Sequence, residues 1–429
     1  MRKRVVIIGG GFGGMTAARF LDDVNVVLID RTNHHVFQPL LYQMATAALS
    51  PSDIAWPLRT LFRSQPNVLV VLDDVVSVDR TARVVRLRDS APIEFDALVV
   101  APGSRHAYFG HAEWEALAPG LKTIGDAVHL RERMLFAFEV AERQRAETGT
   151  QDRLTFVIVG GGPTGVEFAG SLVEIGRKAM GPDYPHLHLE DLSIVLLEAG
   201  PRVLPGFDPK LSAKALNTLE HMGVTVKLNT PVTAVHSDGV MVGREWVPSP
   251  HVIWAAGNKA SPLLNTLAAP QDPCGRVKVQ PDLTIPDDPW ICVIGDAAHC
   301  LDGDEKPLQG IAPVAIKEGQ YVPEQRPPFT YTDRGMLATI GRGQAVAQIG
   351  LFRASGFWAW TFWCMVHIFF LIGSRNRIRV MSEWTWYYLT FKPGARLLGE
   401  QPGTQSAVSS TDHAPEPTEE KRRPRRRAA

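Results

Sequence analysis

The residues best placed to do chemistry are glycines and acids. Gly9, Gly11 and Gly14 fall in a G-x-G-x-x-G spacing directly after the apolar run Val5-Val6-Ile7-Ile8, and the next apolar run, Val26-Val27-Leu28-Ile29, ends in Asp30. The arrangement returns about 150 residues later: Phe156-Val157-Ile158-Val159, then Gly160, Gly162 and Gly165, then Ser193-Ile194-Val195-Leu196-Leu197 ending in Glu198. A turn of this kind binds a dinucleotide for physical reasons. The first glycine allows the tight turn and the second lets the backbone approach a pyrophosphate. The third lets the helix lie near the strand, with its N-terminus aimed at the phosphate charge. The acid closing the second strand then accepts a ribose 2′-hydroxyl. Glu198 favours NADH over NADPH, because a carboxylate repels a 2′-phosphate, and the nearby Arg202 tempers that preference.

Strands and helices must hold these glycines in place. Residues 15–21 read as the helix after the first turn, and residues 166–170 open the helix after the second. A helix over about 126–147 lies between them. Residues 97–100 predict a buried strand ending at Pro102-Gly103, where the chain can leave the first domain. Between 67 and 94 short β-type runs, 68–71 and 83–87, predict an antiparallel insertion. Strands around 224–226 and 240–242 close the second domain, and 252–257 crosses back to the first. Residues 290–298 predict a buried strand ending in Gly295-Asp296, an acid placed to bond the ribityl and phosphate portion of a flavin dinucleotide. The polar and aromatic loop 31–43 follows the carboxyl end of a parallel strand, so it is expected to face the cofactor's reactive ring. His34 and His35 in it have the alternative of structural hydrogen bonding within a turn.

Composition sets bounds on this reading. At 429 residues, two or three domains are expected, and 45% hydrophobic with 21% charged residues describes a globular chain with ample core. Formal net charge is zero, which excludes a global field for nucleic acid, so no nucleic-acid partner is expected. Cys274, Cys292, Cys300 and Cys364 are scattered without a C-x-x-C or metal spacing, which suits a reducing compartment and predicts no metal site. Met1-Arg2-Lys3-Arg4 runs straight into the first strand, so no signal peptide is expected. Two dinucleotide sites in one polypeptide imply two nucleotides that meet, one tightly held at the first turn and one that comes and goes at the second.

With the first glycine turn, the run NHHVFQPLLYQMATAALSPSDIAWPLR from Asn33, GGGPTGVEFAG from Gly160, VIWAAG from Val252 and VIGDAAH from Val293, the chain resembles type II NADH dehydrogenase, the single-subunit, non-proton-pumping NADH:quinone oxidoreductase. The resemblance covers about residues 4–400. It implies FAD on the first turn, NADH on the second, hydride transfer to the flavin and reduction of a membrane quinone. It implies FAD contacts at Gly9, Gly11, Phe12, Gly13, Gly14, Asp30, Arg31, Pro39, Gly103, Asp296 and Ala312. For NADH it implies Gly160, Gly162, Pro163, Thr164, Gly165, Glu198, Ala256 and Gly257. Glu167 matches a glutamate that the family places near nicotinamide and flavin; read from the residues alone, it is equally an acid near a helix N-terminus, complementing the dipole. Two departures bear on the acceptor. Lys317 stands in Ala312-Pro313-Val314-Ala315-Ile316-Lys317 where the family usually has Gln, so a catalytic role at the acceptor face falls to a cation. The helix also runs into Pro323-Glu324-Gln325-Arg326-Pro327-Pro328 and is expected to be shorter than in relatives.

The C-terminal part predicts a membrane surface. Residues 357–372 are uncharged and aromatic, and sixteen residues reach roughly 24 Å, short of the approximately 30 Å hydrocarbon core. With Arg375, Arg377 and Arg379 and the aromatic run Trp384-Thr385-Trp386-Tyr387-Tyr388, they suit monotopic anchoring, apolar faces in lipid and arginines at headgroups. The alternatives are a buried core helix or a homodimer interface. The expected fold is α/β: two Rossmann-like domains, an FAD domain (1–110 and 251–330) with an inserted NADH domain (111–250), a membrane-associating segment (331–400) and a disordered basic tail (401–429). The expected location is the cytoplasmic face of the membrane, peripherally bound. Other readings are the same scaffold with a non-quinone acceptor, or a flavin-based NADH sensor; no cysteine pair flanks the flavin for disulfide chemistry.

Overall fold

The computed structural model describes residues 2–149, 153–188, 190, 192–322, 327–390 and 395–398. The residues after Val322 that would show how far the acceptor-side helix runs, 323–326, and the basic tail from 401 lie outside the described residues.

The β-branched run at the start has no polar face to give to water, so it goes to the centre of a sheet. Arg4–Ile8 pairs in parallel with Asn25–Asp30 on one side and Ala97–Val100 on the other, and Val6, Ile7, Leu28 and Val100 are fully buried. The sheet has six strands in the order Thr284–Ile285, Asp288–Val293, Ala97–Val100, Arg4–Ile8, Asn25–Asp30 and Val68–Leu72, all parallel except the short first one. The run at 68–71 is therefore an edge strand of the main sheet. The expectation of an antiparallel insertion there is corrected: short alternating runs look alike in both settings, and pairing with Val26–Asp30 decides between them. The antiparallel insertion is only Val75–Asp79, Val84–Leu87 and Ile93–Glu94.

The second sheet repeats the plan with four parallel strands in the order Val224–Lys227, Leu192–Leu197, Leu154–Val159 and His251–Trp254. His251–Trp254 belongs to this sheet, four residues beyond the boundary expected at 250. The helix Ile124–Thr148 begins with a reciprocal cap, Thr123 with Asp126, and ends at Gly149 in the left-handed region (φ 69°). A two-stranded ribbon, Ser104–His106 with Asn258–Ala260, carries the chain out of the first sheet and back.

Beyond these comes a three-stranded antiparallel sheet, Met336–Gly341, Gln344–Ile349 and Phe352–Ser355, followed by helices Phe357–Phe370 and Ser374–Thr390. The first of these helices is two-faced. Ala359 and Trp363 are buried in the core while Trp358 is 78% and Phe369 69% exposed, so it is not the buried core helix considered as an alternative. Among the described residues no helix is long and apolar enough to cross a membrane.

Candidate active site

Both glycine turns are built alike. Gly9 and Gly160 have φ of 100° and 110°, a conformation that a side chain strains. A Cβ on Gly14 would overlap the Gly9 carbonyl, and one on Gly165 the Gly160 carbonyl, so each helix starts directly against its strand. Gly11 and Gly162, the N-caps of helices Phe12–Phe20 and Pro163–Glu174, face open space, leaving a free cradle of helix N–H groups for a pyrophosphate. Pro163 and Thr164 open the second helix. The acids close both turns. Asp30 Oδ2 accepts from Gly10 N at 2.6 Å and its Oδ1 from Thr32 N and Oγ1 at 2.7 Å. Glu198 accepts from Gly161 N and Gly200 N, each at 2.6 Å. Arg202, the residue that could welcome a 2′-phosphate, donates from Nη2 to the Pro205 carbonyl at 2.7 Å. Ala256 and Gly257 follow the strand beside the second turn, Gly257 at φ 69°.

Further segments enclose the first turn. His35 Nδ1–H donates to the Gly10 carbonyl at 3.0 Å, and burial lowers its pKa to about 4, so the ring is a neutral buttress behind the turn. Phe12 packs edge-on to His35 and Phe37, Pro39 lies in the turn Gln38–Leu40, and Arg31 is exposed. Gly103 (φ 68°) opens onto free space, and the Ser104 hydroxyl next to it donates to Asp296 Oδ2 at 2.5 Å.

The helix Ala312–Tyr321 lies on the first glycine helix so closely that a Cβ on Gly319 would overlap the Gly13 carbonyl. Lys317 projects to solvent from this helix. Its neighbour Glu318, which the sequence reasoning missed, is 1% exposed, and its Oε2 accepts from the Gly295 N–H. Burial, with Asp296 nearby, pushes the Glu318 carboxyl up to about 8. A signal was available: Val314, Ala315, Glu318 and Gly319 share one face at helical spacing, and that face is buried.

Glu167 sits in the second turn of its helix with its side chain buried, and Thr339 N donates to its Oε1 at 3.3 Å. It does not complement the helix end, since the acid points across to the C-terminal sheet. Burial raises its carboxyl to about 8. Around it three parts of the chain meet. Thr46 and Ser171 hydroxyls, one helical turn on from Tyr42 and Glu167, bond at 2.7 Å. Trp384 Nε1–H donates to Gln43 Oε1 at 2.7 Å, and Gln43 Nε2–H to Tyr42 Oη at 2.8 Å, tying the last helix to the loop after the first βαβ unit.

The geometry therefore assembles two open dinucleotide cradles in one chain and a buried acid where the second glycine helix meets the C-terminal elements. Residues 3–319 match the pyridine nucleotide-disulphide oxidoreductase family, and residues 334–390 the NDH2 C-terminal domain. The chain is 41% identical to the type II NADH:quinone oxidoreductase NdhA of Mycobacterium tuberculosis, over 96% of this chain and 91% of that protein. It is 39% identical to a second one from the same organism, Ndh, over 93% and 91%. Its fold matches the structure of NDH2 from Plasmodium falciparum in complex with NADH, at a TM-score of 0.84 and 20% identity, over 92% of this chain and 99% of that one.

Proposed function

The chain belongs to the type II NADH:quinone oxidoreductases, and from that premise we infer that it takes a hydride from NADH onto FAD and delivers two electrons to quinone, without pumping protons. The balance is NADH, one proton and quinone going to NAD⁺ and quinol. FAD supplies the two-electron chemistry when bound; the protein supplies position and charge.

The open N-terminus at Gly11, with Asp30 for the ribose, suits FAD. The equally open N-terminus at Gly162, with Glu198, suits NADH, because the carboxylate repels a 2′-phosphate. We assign FAD contacts to Gly9, Gly11, Phe12, Gly13, Gly14, Asp30, Arg31, Pro39, Gly103, Asp296 and Ala312. NADH contacts fall to Gly160, Gly162, Pro163, Thr164, Gly165, Glu198, Ala256 and Gly257. Glu167, kept protonated by burial below about pH 8, holds a proton in a site shut off from water, and we assign it the delivery of that proton during quinone reduction. Lys317, exposed on the helix whose N-terminus is Ala312, places a cation on the acceptor side.

The enzyme is a peripheral membrane protein. The surface that meets lipid is, in our reading, the exposed face of the last two helices: Phe357, Trp358, Met365 and Phe369 on one, Ile378, Met381, Trp386 and Leu389 on the other, with Arg375 at the border. A second copy of the chain could cover part of the same face as a homodimer, and the oligomeric state in detergent and on vesicles separates the two. Four free cysteines, two of them buried, suit the cytoplasmic side. Domain limits are best drawn with residues 111–254 as the NADH insert, because His251–Trp254 pairs with Leu154–Val159.

The observation that carries the assignment is the pairing of two open glycine cradles with a buried acid beside the C-terminal helices. Steady-state assay of NADH oxidation with a short-chain quinone and with ferricyanide tests it. Quinone turnover is expected; rapid ferricyanide reduction with no quinone turnover would move the function to another acceptor.

A further inference from the structure

The first cradle carries the carboxyl groups Asp30 and Asp296, each held by a hydrogen bond, His35 behind it is neutral, and FAD would add two phosphate charges. One basic side chain is wired to it. Lys122, near the start of the NADH insert, donates from Nζ to Ser104 Oγ at 2.8 Å, and the same hydroxyl donates its single proton to Asp296 Oδ2 at 2.5 Å. The order of donors is fixed, because a hydroxyl with one proton gives it to the carboxylate and takes the lysine's on its lone pair.

The lysine's main chain is also fixed. Its N–H and that of Thr123 both bond to Asp126 Oδ2, at 2.9 and 2.8 Å, in the cap of helix Ile124–Thr148. Among the described residues no further acceptor lies within hydrogen-bond reach of its ammonium, which leaves two N–H donors for something else. Nearby, His106 Nε2 is buried without a partner on the ribbon that carries Ser104. Desolvation penalises the Lys122 charge, and Asp296 and Asp126 favour it.

We propose that Lys122 is an FAD-site residue, its ammonium standing beside Asp296 as the counter-charge to the bound dinucleotide and setting both how tightly FAD is held and how readily it is reduced. The proposal rests on FAD occupying the first cradle. A fixed positive charge favours the form of the flavin that carries more electrons, so its removal lowers the midpoint potential.

The test compares the full-length protein with Lys122→Met, Lys122→Arg and Ser104→Ala. Its readouts are FAD dissociation and the two-electron midpoint potential of the bound flavin, read against a reference dye. Losing a hydrogen bond to a charged group is expected to weaken FAD binding by about ten- to a hundredfold in Lys122→Met. Its potential should move to more negative values, while Lys122→Arg stays close to the parent. Should Lys122→Met fail to fold, Ser104→Ala, which cuts the link and keeps the charge, is expected to lower FAD affinity by a smaller factor. Loss of thermal stability in Lys122→Met with FAD affinity and potential as in the parent would overturn the proposal, as would parental FAD affinity in Ser104→Ala. A parent protein that holds no flavin would instead count against the FAD assignment itself.

Discussion

The two glycine turns of this molecule are near copies where they touch a phosphate and different everywhere else. Helix Phe12–Phe20 is covered by another helix, Ala312–Tyr321, with Gly319 against the Gly13 carbonyl. Helix Pro163–Glu174 is covered by a strand, Met336–Gly341, where a Cβ on Gly170 would overlap the Ile340 carbonyl. Asp30 takes three hydrogen bonds and is braced by Thr32, whereas Glu198 takes two from backbone alone. Later segments carrying Gly103, Asp296 and Ala312 lie around the first turn, while Ala256-Gly257 and Leu204, whose N–H donates to the Gly161 carbonyl at 2.7 Å, lie beside the second. On the proposed function, one motif serves two ends: the shared backbone geometry suits a phosphate at both turns, and the different covers are where a retained and an exchanging nucleotide would differ.

Breaking each turn separately should give the largest and most divergent effects. Gly14→Ala forces a Cβ into the Gly9 carbonyl, a clash with backbone that overpacking data put at about 1–3 kcal/mol. The protein is expected to purify largely without flavin. Gly165→Ala makes the same clash with the Gly160 carbonyl, yet should keep its flavin and lose reduction by NADH. Flavin absorbance per polypeptide and the rate of bleaching by NADH read both; flavin loss from the second variant as complete as from the first would erase the distinction.

A smaller effect sharpens the nucleotide side. Glu198→Gln removes the charge assigned to the ribose hydroxyl, and about 1.5–3 kcal/mol for a charged hydrogen bond corresponds to a roughly ten- to hundredfold fall in kcat/KM for NADH. Asp30→Gln should leave the KM for NADH unchanged in whatever fraction retains FAD.

Next comes a pH effect with one buried acid on each side of the comparison. Glu167 and Glu318 are both pushed up to about 8 by burial. A carboxyl whose pKa is raised on folding binds more protons folded than unfolded. Its contribution to stability is present below the ordinary carboxyl range and is lost as pH rises to about 8. Melting temperature should therefore fall between about pH 5 and about pH 9, and either Glu167→Gln or Glu318→Gln should flatten the fall. A parental slope in both variants would mean that neither acid is neutral when folded. The proton assigned to Glu167 adds a split: Glu167→Gln should slow quinone reduction more than ferricyanide reduction, which needs no proton at the acceptor.

The smallest change is expected at Lys317, which is exposed. Lys317→Gln should alter the KM for quinone by a few-fold at most, since surface charge effects are about 1 kcal/mol or less, and should weaken in salt. A large fall in kcat would place Lys317 at the reacting atoms instead.

What the sequence made legible was what depends on near neighbours. The Gly9 and Gly14 spacing is a local steric requirement of one turn, so it can be read before any tertiary contact is known. Asp30 and Glu198 follow from the length of one βαβ unit. Glu318 was missed because the Gly295 N–H that it satisfies arrives from another strand, and Lys122 because Ser104 and Asp296 join it only through the fold. Val68–Leu72 was misassigned because alternation reports a strand and not its partner. The two-faced character of Phe357–Phe370 was equally hidden, since nearly every residue in it is apolar and only packing reveals that Trp363 turns inward while Trp358 does not.

The central claim is that one chain holds FAD and admits NADH so that electrons leave for quinone. Anaerobic addition of NADH to the purified protein in detergent, followed by quinone, tests it by the flavin spectrum alone. A yellow protein is expected, one that bleaches with NADH far faster than with NADPH and regains its colour when quinone is added. A flavin that NADH fails to bleach, or that stays bleached in the presence of quinone, would contradict it.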